Sequence, residues 1–173
     1  MSNIRRIALI GAGNVSWHLG PALENAGHVV LEVFSQSKKN ASELVNRLYQ
    51  AEVNTDLNFA ESKADLFIIA VPDDVISLIA QDIALPDNSI IVHTSGAKSL
   101  GVLGYTAAES TGVFYPLQTF TKSKKIEFKS IPICVEASDT KTEKVLMNVA
   151  KSITKSTHVI NSDDRKALHV AEV

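Results

Sequence analysis

Short apolar runs alternate with helically spaced apolar positions along most of this chain. "IRRIALIG" is an apolar run closing on glycine, which suits a strand covered on both faces of a parallel sheet. From Asn14 to Gly27, Val15, Leu19, Ala22, Leu23 and Ala26 recur at helical spacing and predict a helix. Pro21 lies inside it, where the missing N–H and the ring clash cost about 3 kcal/mol. A kink or loosened turn is expected there, not loss of the helix. "HVVLEVFS" predicts a second strand, "ASELVNRLY" a second helix with Ala41, Leu44, Val45 and Leu48 on one face, and "AEVNTD" a short third strand. "ADLFIIAVP" predicts another strand, followed by a helix through Val75, Ile76, Ile79, Ala80 and Ile83. Pro72, Asp73 and Asp74 suit that helix's start, where proline loses no bond and acids meet the dipole. "SIIVHTSG", "GVFYPL", "IPICVEA" and "STHVI" read as further strands, with a helix around Val145, Leu146, Val149, Ala150 and Ile153. Such alternation predicts an α/β fold with a doubly wound, mostly parallel sheet.

The last segment, "NSDDRKALHVAEV", offers Ser162 as an N-cap, acids in the first turn and then an apolar helical pattern. The pattern stops at Val173 without a C-cap. The expectation is residues 1–160 as one domain and 161–173 as the truncated start of a helical one. The alternative is a short terminal helix docking on the sheet.

Composition narrows the function classes. The 173 residues suffice for one domain, and 45% apolar with 21% charged residues is ordinary for a globular chain. A net charge of −2 argues against nucleic acid or a membrane surface as partner. The one basic cluster, Thr121 to Lys129, reads as a solvated loop. The single cysteine, Cys134, sits in a strand-like apolar run, where buried packing outweighs reactivity. No leader is visible and no apolar run approaches ~18 residues, so a cytoplasmic location is expected.

"GAGNVS" carries the candidate chemistry. It joins the first strand to the first helix within a strand–helix–strand unit, the context in which glycines cradle a pyrophosphate. Gly11 would permit the tight turn, Gly13 the approach of the anion, and the helix start would supply N–H groups and a positive dipole end. Ser16 stands at the third, close-packing position, where its hydroxyl could also donate to a phosphate. An NAD site usually places an acid about 20 residues past the turn. Here "VFSQSKK" has none, and Glu32 lies inside the strand, facing away from a ribose. Ser35, Ser37, Lys38 and Lys39 supply hydroxyls and positive charge, which suits a 2′-phosphate. The chemistry favours NADP(H), with NAD(H) as the alternative; the lysines would otherwise decorate the exposed start of the second helix.

With "ADLFIIAVPDDVI", "IIVHTSGA", "YPLQTF" and "DDRKALHVA" following in order, the chain resembles, over essentially its whole length, a particular family. Its members are Rossmann-like, NADP-oxidoreductase-type proteins with a C-terminal helical domain of unknown function. They are related to pyrroline-5-carboxylate reductase and deazaflavin-dependent NADP reductase. The resemblance implies Gly11, Gly13, Asn14 and Val15 at the pyrophosphate, and Ser35, Ser37 and Lys38 at the adenosine ribose. It implies Ala70, Val71 and Pro72 along the cofactor, and Thr94 and Ser95 near the nicotinamide. It implies a small-molecule substrate and a homodimer for a form carrying the complete helical domain. Many relatives have a histidine just before "PLQTF", where this chain has Tyr115, so no histidine acid/base is expected at that position.

Hydride transfer belongs to the nicotinamide; the protein must handle the proton. His169, which matches a histidine of the family pattern, and His93 are the candidate catalytic groups. Each has a structural alternative: a helix-packing role for His169 and a loop-holding role for His93. Tyr115 and Gln118 are candidates for a substrate polar group. No metal site is expected, since the five histidines show no zinc spacing. Two functions remain: an NADP-dependent oxidoreductase acting on a small carbonyl or imine, or a non-catalytic nucleotide-binding or sensing module.

Overall fold

A computed structural model describes residues 3–172. Residues 1, 2 and 173 lie outside it, and with them the expectation attached to Val173. The sheet has eight strands in the order β3-β2-β1-β4-β5-β6-β7-β8. They are β1 (Arg6–Ile10), β2 (Val29–Phe34), β3 (Glu52–Asn54), β4 (Leu66–Ile69), β5 (Ile90–His93), β6 (Ser110–Pro116), β7 (Ile133–Ala137) and β8 (Thr157–Val159). The first six run parallel; β7 is antiparallel to β6 and parallel to β8, so the last two run against the rest. The mostly parallel, doubly wound α/β fold expected from the alternating pattern is the observed one.

Central strands read as continuous apolar runs because helices cover both faces. On β1, Ile7 and Leu9 join one core with Leu19 and Leu23 of α1 (Asn14–Asn25) and Leu146 and Val149 of α4 (Thr140–Ile153). Ala8 and Ile10 face the other way, into a core with Ile76, Ile79 and Ala80 of α3 (Ile76–Asp82). This period of two places each helix on its own side. Cys134 is buried, as its apolar run implied.

Three local expectations are refined. The helix α1 continues unbroken through Pro21. The carbonyl that Pro21 cannot serve is that of Trp17, and the Arg47 guanidinium donates to it at 3.3 Å. The helix α2 (Lys38–Val45) starts earlier than its apolar face suggested, because the Ser37 hydroxyl caps it by accepting from the Asn40 amide at 3.2 Å. Pro72 precedes a 3-10 turn (Asp73–Val75) that leads into α3.

In α5 (Ser162–Glu172) the cap is Asn161 and not Ser162: the Asn161 side-chain oxygen accepts from the Asp164 amide at 2.9 Å. Ser162 is drawn elsewhere. Its hydroxyl donates to Glu136 at 2.6 Å and accepts from the Leu100 amide at 3.2 Å. Among the described residues no helix is long and apolar enough to cross a membrane.

Candidate functional site

The carboxyl ends of the parallel strands open onto a cleft of about 560 Å³, where ligands of open α/β sheets gather. One wall is the turn between β1 and α1. Gly11 adopts φ +109°, and a Cβ there would stand 2.1 Å from the Ala70 carbonyl oxygen. Its amide donates to Phe34 O at 2.7 Å, tying the turn to β2. No other residue type fits there without moving the Ala70 backbone just past β4. Gly13 is the opposite case. It is the N-cap of α1, with no side-chain cap, and a Cβ there would meet nothing within 4 Å. The first intrahelical bond runs from the Trp17 amide to Gly13 O, which leaves the earlier amides of α1 available to an anion. The turn is therefore closed against the sheet at Gly11 and open toward the cleft at Gly13.

Gly13, Asn14 and Val15 line the cleft, and Ala70, Val71 and Pro72 face them. Ser16 lies behind the turn, fully buried, with its hydroxyl unpartnered and not among the lining residues. It occupies the small-residue packing position. At the β2 end, the Ser35 hydroxyl accepts from the Ser37 amide at 3.2 Å, and Ser37 caps α2. Both serines thus shape the turn, and Lys38 and Lys39 stand exposed at the helix start. From this stretch Asn40, which motif reading passed over, lines the cleft. The Glu32 carboxylate accepts from the Ser62 hydroxyl.

The far end of the cleft is lined by Thr94, Ser95, Gly96, Tyr115, Gln118 and His169. His93 precedes them but is turned inward with no exposure. Its Nδ1 accepts from the Ser95 amide and its Nε2–H donates to Ser99 O, both at 3.0 Å. Burial lowers its pKa to about 4, so the ring is neutral at physiological pH. Both ring nitrogens are thus engaged in the 95–99 loop, and His93 is not among the residues lining the cleft. The Ser95 hydroxyl is also committed, accepting from the Ala97 and Lys98 amides at 3.1 and 3.0 Å. The Thr94 hydroxyl donates to Ile69 O at 3.5 Å.

Tyr115 Oη and His169 Nδ1 share a hydrogen bond of 2.9 Å, their rings edge to face. Position 115 on β6 thus has an imidazole beside it after all, supplied from α5. The two rings close over Gly96: a Cβ there would be 2.6 Å from His169 Nδ1 and 2.7 Å from Tyr115 Cζ.

Arg165 explains why α5 docks here. Its side chain is 1% exposed and ion-paired to Glu136 of β7 at 2.7 Å. Its Nε donates to Ser95 O at 3.2 Å, and it also donates to Lys98 O. Hydrogen bonds from Ser162 and Arg165 hold the Glu136 carboxyl below the usual carboxylate range, against its burial. One guanidinium thus ties β7, the 95–98 loop and α5 together. It stands four residues before His169, on the same helix face. That spacing in "DDRKALH" was the signal available in the sequence. The partner Glu136, remote in the chain, was not.

Comparison with known proteins places this architecture. Residues 2–117 match the sequence profile of the Rossmann-like domain, and residues 131–173 that of a domain of unknown function (DUF2520). A provisionally named NADP oxidoreductase from Bacteroides fragilis is 34% identical with a TM-score of 0.90, over 99% of this chain and 66% of that one. Pyrroline-5-carboxylate reductase from Streptococcus pyogenes is 16% identical with a TM-score of 0.72, over 94% of this chain and 61% of that one. Prephenate dehydrogenase from A. aeolicus is 11% identical with a TM-score of 0.77, over 95% of this chain and 62% of that one. At those last two identities the likeness is one of fold. The chain spans less than two thirds of each of these proteins. No curated protein matches the sequence.

Proposed function

The chain belongs to the Rossmann-like domain family, matched over more than half its length, and on that premise we propose that it binds NADP(H) as the nucleotide domain of an oxidoreductase acting on a small carbonyl or imine. The carrying observation is one cleft with an anion cradle at Gly13 and the Tyr115–His169 pair at its far end. A pyrophosphate fits the space that a Cβ at Gly13 would enter, beside the free amides of α1. Residues 1–160 would form the nucleotide domain and 161–173 a helical segment.

Gly11 sets the turn; Gly13, Asn14 and Val15 hold the pyrophosphate, with Ser16 packing behind them. Ser35, Ser37 and Lys38, with Lys39, meet the adenosine 2′-phosphate. Ala70, Val71 and Pro72 run along the nucleotide, and Thr94 and Ser95 flank the nicotinamide, which supplies or accepts hydride when bound. Tyr115 and Gln118 orient the substrate's polar group. The Tyr115 hydroxyl moves a proton to or from that group, and His169 Nδ1 balances the charge across their hydrogen bond.

Calorimetric titration of NADPH and NADH tests the nucleotide claim: one saturable site is expected, tighter for NADPH. Lys38→Ala with Lys39→Ala should narrow that preference, since each contributes charge at the 2′-phosphate. Consumption of NADPH with a panel of oxo acids and cyclic imines tests the reaction. Absence of binding to either nucleotide would refute the reading.

A further inference from the structure

The basic loop after β6 does not behave as a freely solvated segment. Its start is fastened to α1: the His18 imidazole N–H donates to Thr121 O at 2.6 Å. Phe120 and Phe128 are buried beneath it, and the rings of His18, Phe120 and Phe128 stack in series at 5.8 and 5.7 Å. Its far end is held where the Lys155 amide and the Thr154 hydroxyl donate to Lys129 O at 3.1 and 3.2 Å. Pinned at both ends, the loop and α1 enclose a depression of about 590 Å³.

Trp17, Arg47, Lys122, Lys124, Lys125 and Lys129 all line this depression, with Glu127 as the one carboxylate. Five cations face one acid on a chain whose net charge is −2. The Arg47 guanidinium carbon lies 4.2 Å and Lys122 Nζ 5.1 Å from the Trp17 ring centroid, which holds both heads over the indole. Among the described residues the ion pairs lie elsewhere, at Arg6–Asp65, Lys39–Glu43 and Arg165–Glu136. Like charges gathered in one concavity repel each other, and one carboxylate, Glu127, offsets only part of that repulsion.

We propose that this depression is a second ligand site, for a compact small molecule carrying two or more phosphate groups. Several convergent lysines with one arginine match a multiply charged anion better than a single carboxylate. The volume is that of a small-molecule site. The five cations converge on one concavity, whereas nucleic acid needs an extended basic track. Lys122 stands on the rim shared with the nucleotide cleft, but Trp17, Arg47, Lys124, Lys125 and Lys129 line the depression alone, so the two sites are separable.

Inorganic tripolyphosphate is the probe, read by Trp17 fluorescence and calorimetry at low and physiological ionic strength. Three proteins are compared: the unaltered chain, Gly13→Asp, and Lys124→Ala with Lys125→Ala. Both lysines are exposed, so their loss leaves the fold intact. Saturable binding is expected in the first two and a loss of about tenfold or more in the third. No saturation, loss in Gly13→Asp, or full retention in the lysine variant overturns the assignment. So does tighter binding, through the same lysines, of a single-stranded oligonucleotide or of phosphatidylglycerol vesicles.

Discussion

Gly13→Asp separates the proposed nucleotide cradle from the fold more cleanly than any other change. Gly13 has φ −90° and ψ −155°, the extended conformation of an N-cap that any residue can adopt. No atom lies within 4 Å of the Cβ position, so the new side chain meets no clash. Aspartate is a better N-cap than glycine by a few tenths of a kcal/mol, and its charge at the helix start adds about 0.3–1 kcal/mol. The melting temperature should therefore hold or rise slightly. The carboxylate, however, occupies the space proposed for the pyrophosphate. At about 5 Å and an effective dielectric near 20, one such repulsion costs about 3 kcal/mol. That is roughly a hundredfold or more in affinity, before any steric loss. Calorimetry with NADPH, beside a thermal melt, measures both quantities on one sample. The contrast is Gly11→Ala, whose Cβ would press on Ala70 O at 2.1 Å from a positive-φ position. It should lower stability by at least about 2 kcal/mol. If Gly13→Asp binds NADPH as the parent does, the turn is structural and the cradle argument fails.

Other outcomes follow from the far end of the cleft. Tyr115→Phe should leave NADPH affinity unchanged and lower turnover on any accepted substrate by about 10²-fold or more; unchanged turnover would remove the Tyr115–His169 pair from the chemistry. Arg165→Leu strips Glu136 of its guanidinium and leaves Ser95 O and Lys98 O without this donor. The cost should be about 3–5 kcal/mol in denaturant melts; a loss below about 1 kcal/mol would show that α5 docks by other means. His93 has a folded pKa of about 4 against an ordinary 6.5. The unfolded chain therefore binds a proton first, and stability falls as pH drops from about 6.5 to about 4, by roughly 3 kcal/mol in all. Melts of His93→Gln should lack that component, and identical pH profiles for the two proteins would refute it.

Much of this was legible in the chain. A strand buried on both faces can only be written as an apolar run, so β1, β4 and β5 announced themselves, and the helices between them carried their apolar faces at helical spacing. The glycine turn was legible because its two glycines answer separate steric demands, one against Ala70 and one toward open space. Side-chain pairing between distant segments was not legible. The capping of α5 by Asn161 depended on Ser162 being drawn to Glu136, 26 residues upstream. The inward turn of His93 depended on the 95–99 loop folding back over it. His169 reached Tyr115, 54 residues away, only because Arg165 docks the helix.

Local sequence, through periodicity and the sterics of glycine and proline, determined the elements, their order and the shape of the glycine turn. Tertiary structure alone decided which polar groups meet. It brought Tyr115 to His169, gathered five cations around Trp17, and supplied Arg47 to the carbonyl that Pro21 left unserved. The reason is physical. Apolar burial is non-directional and reads out as a repeating pattern, whereas a hydrogen bond or ion pair needs two particular atoms within about 3 Å. Only the folded chain sets that distance.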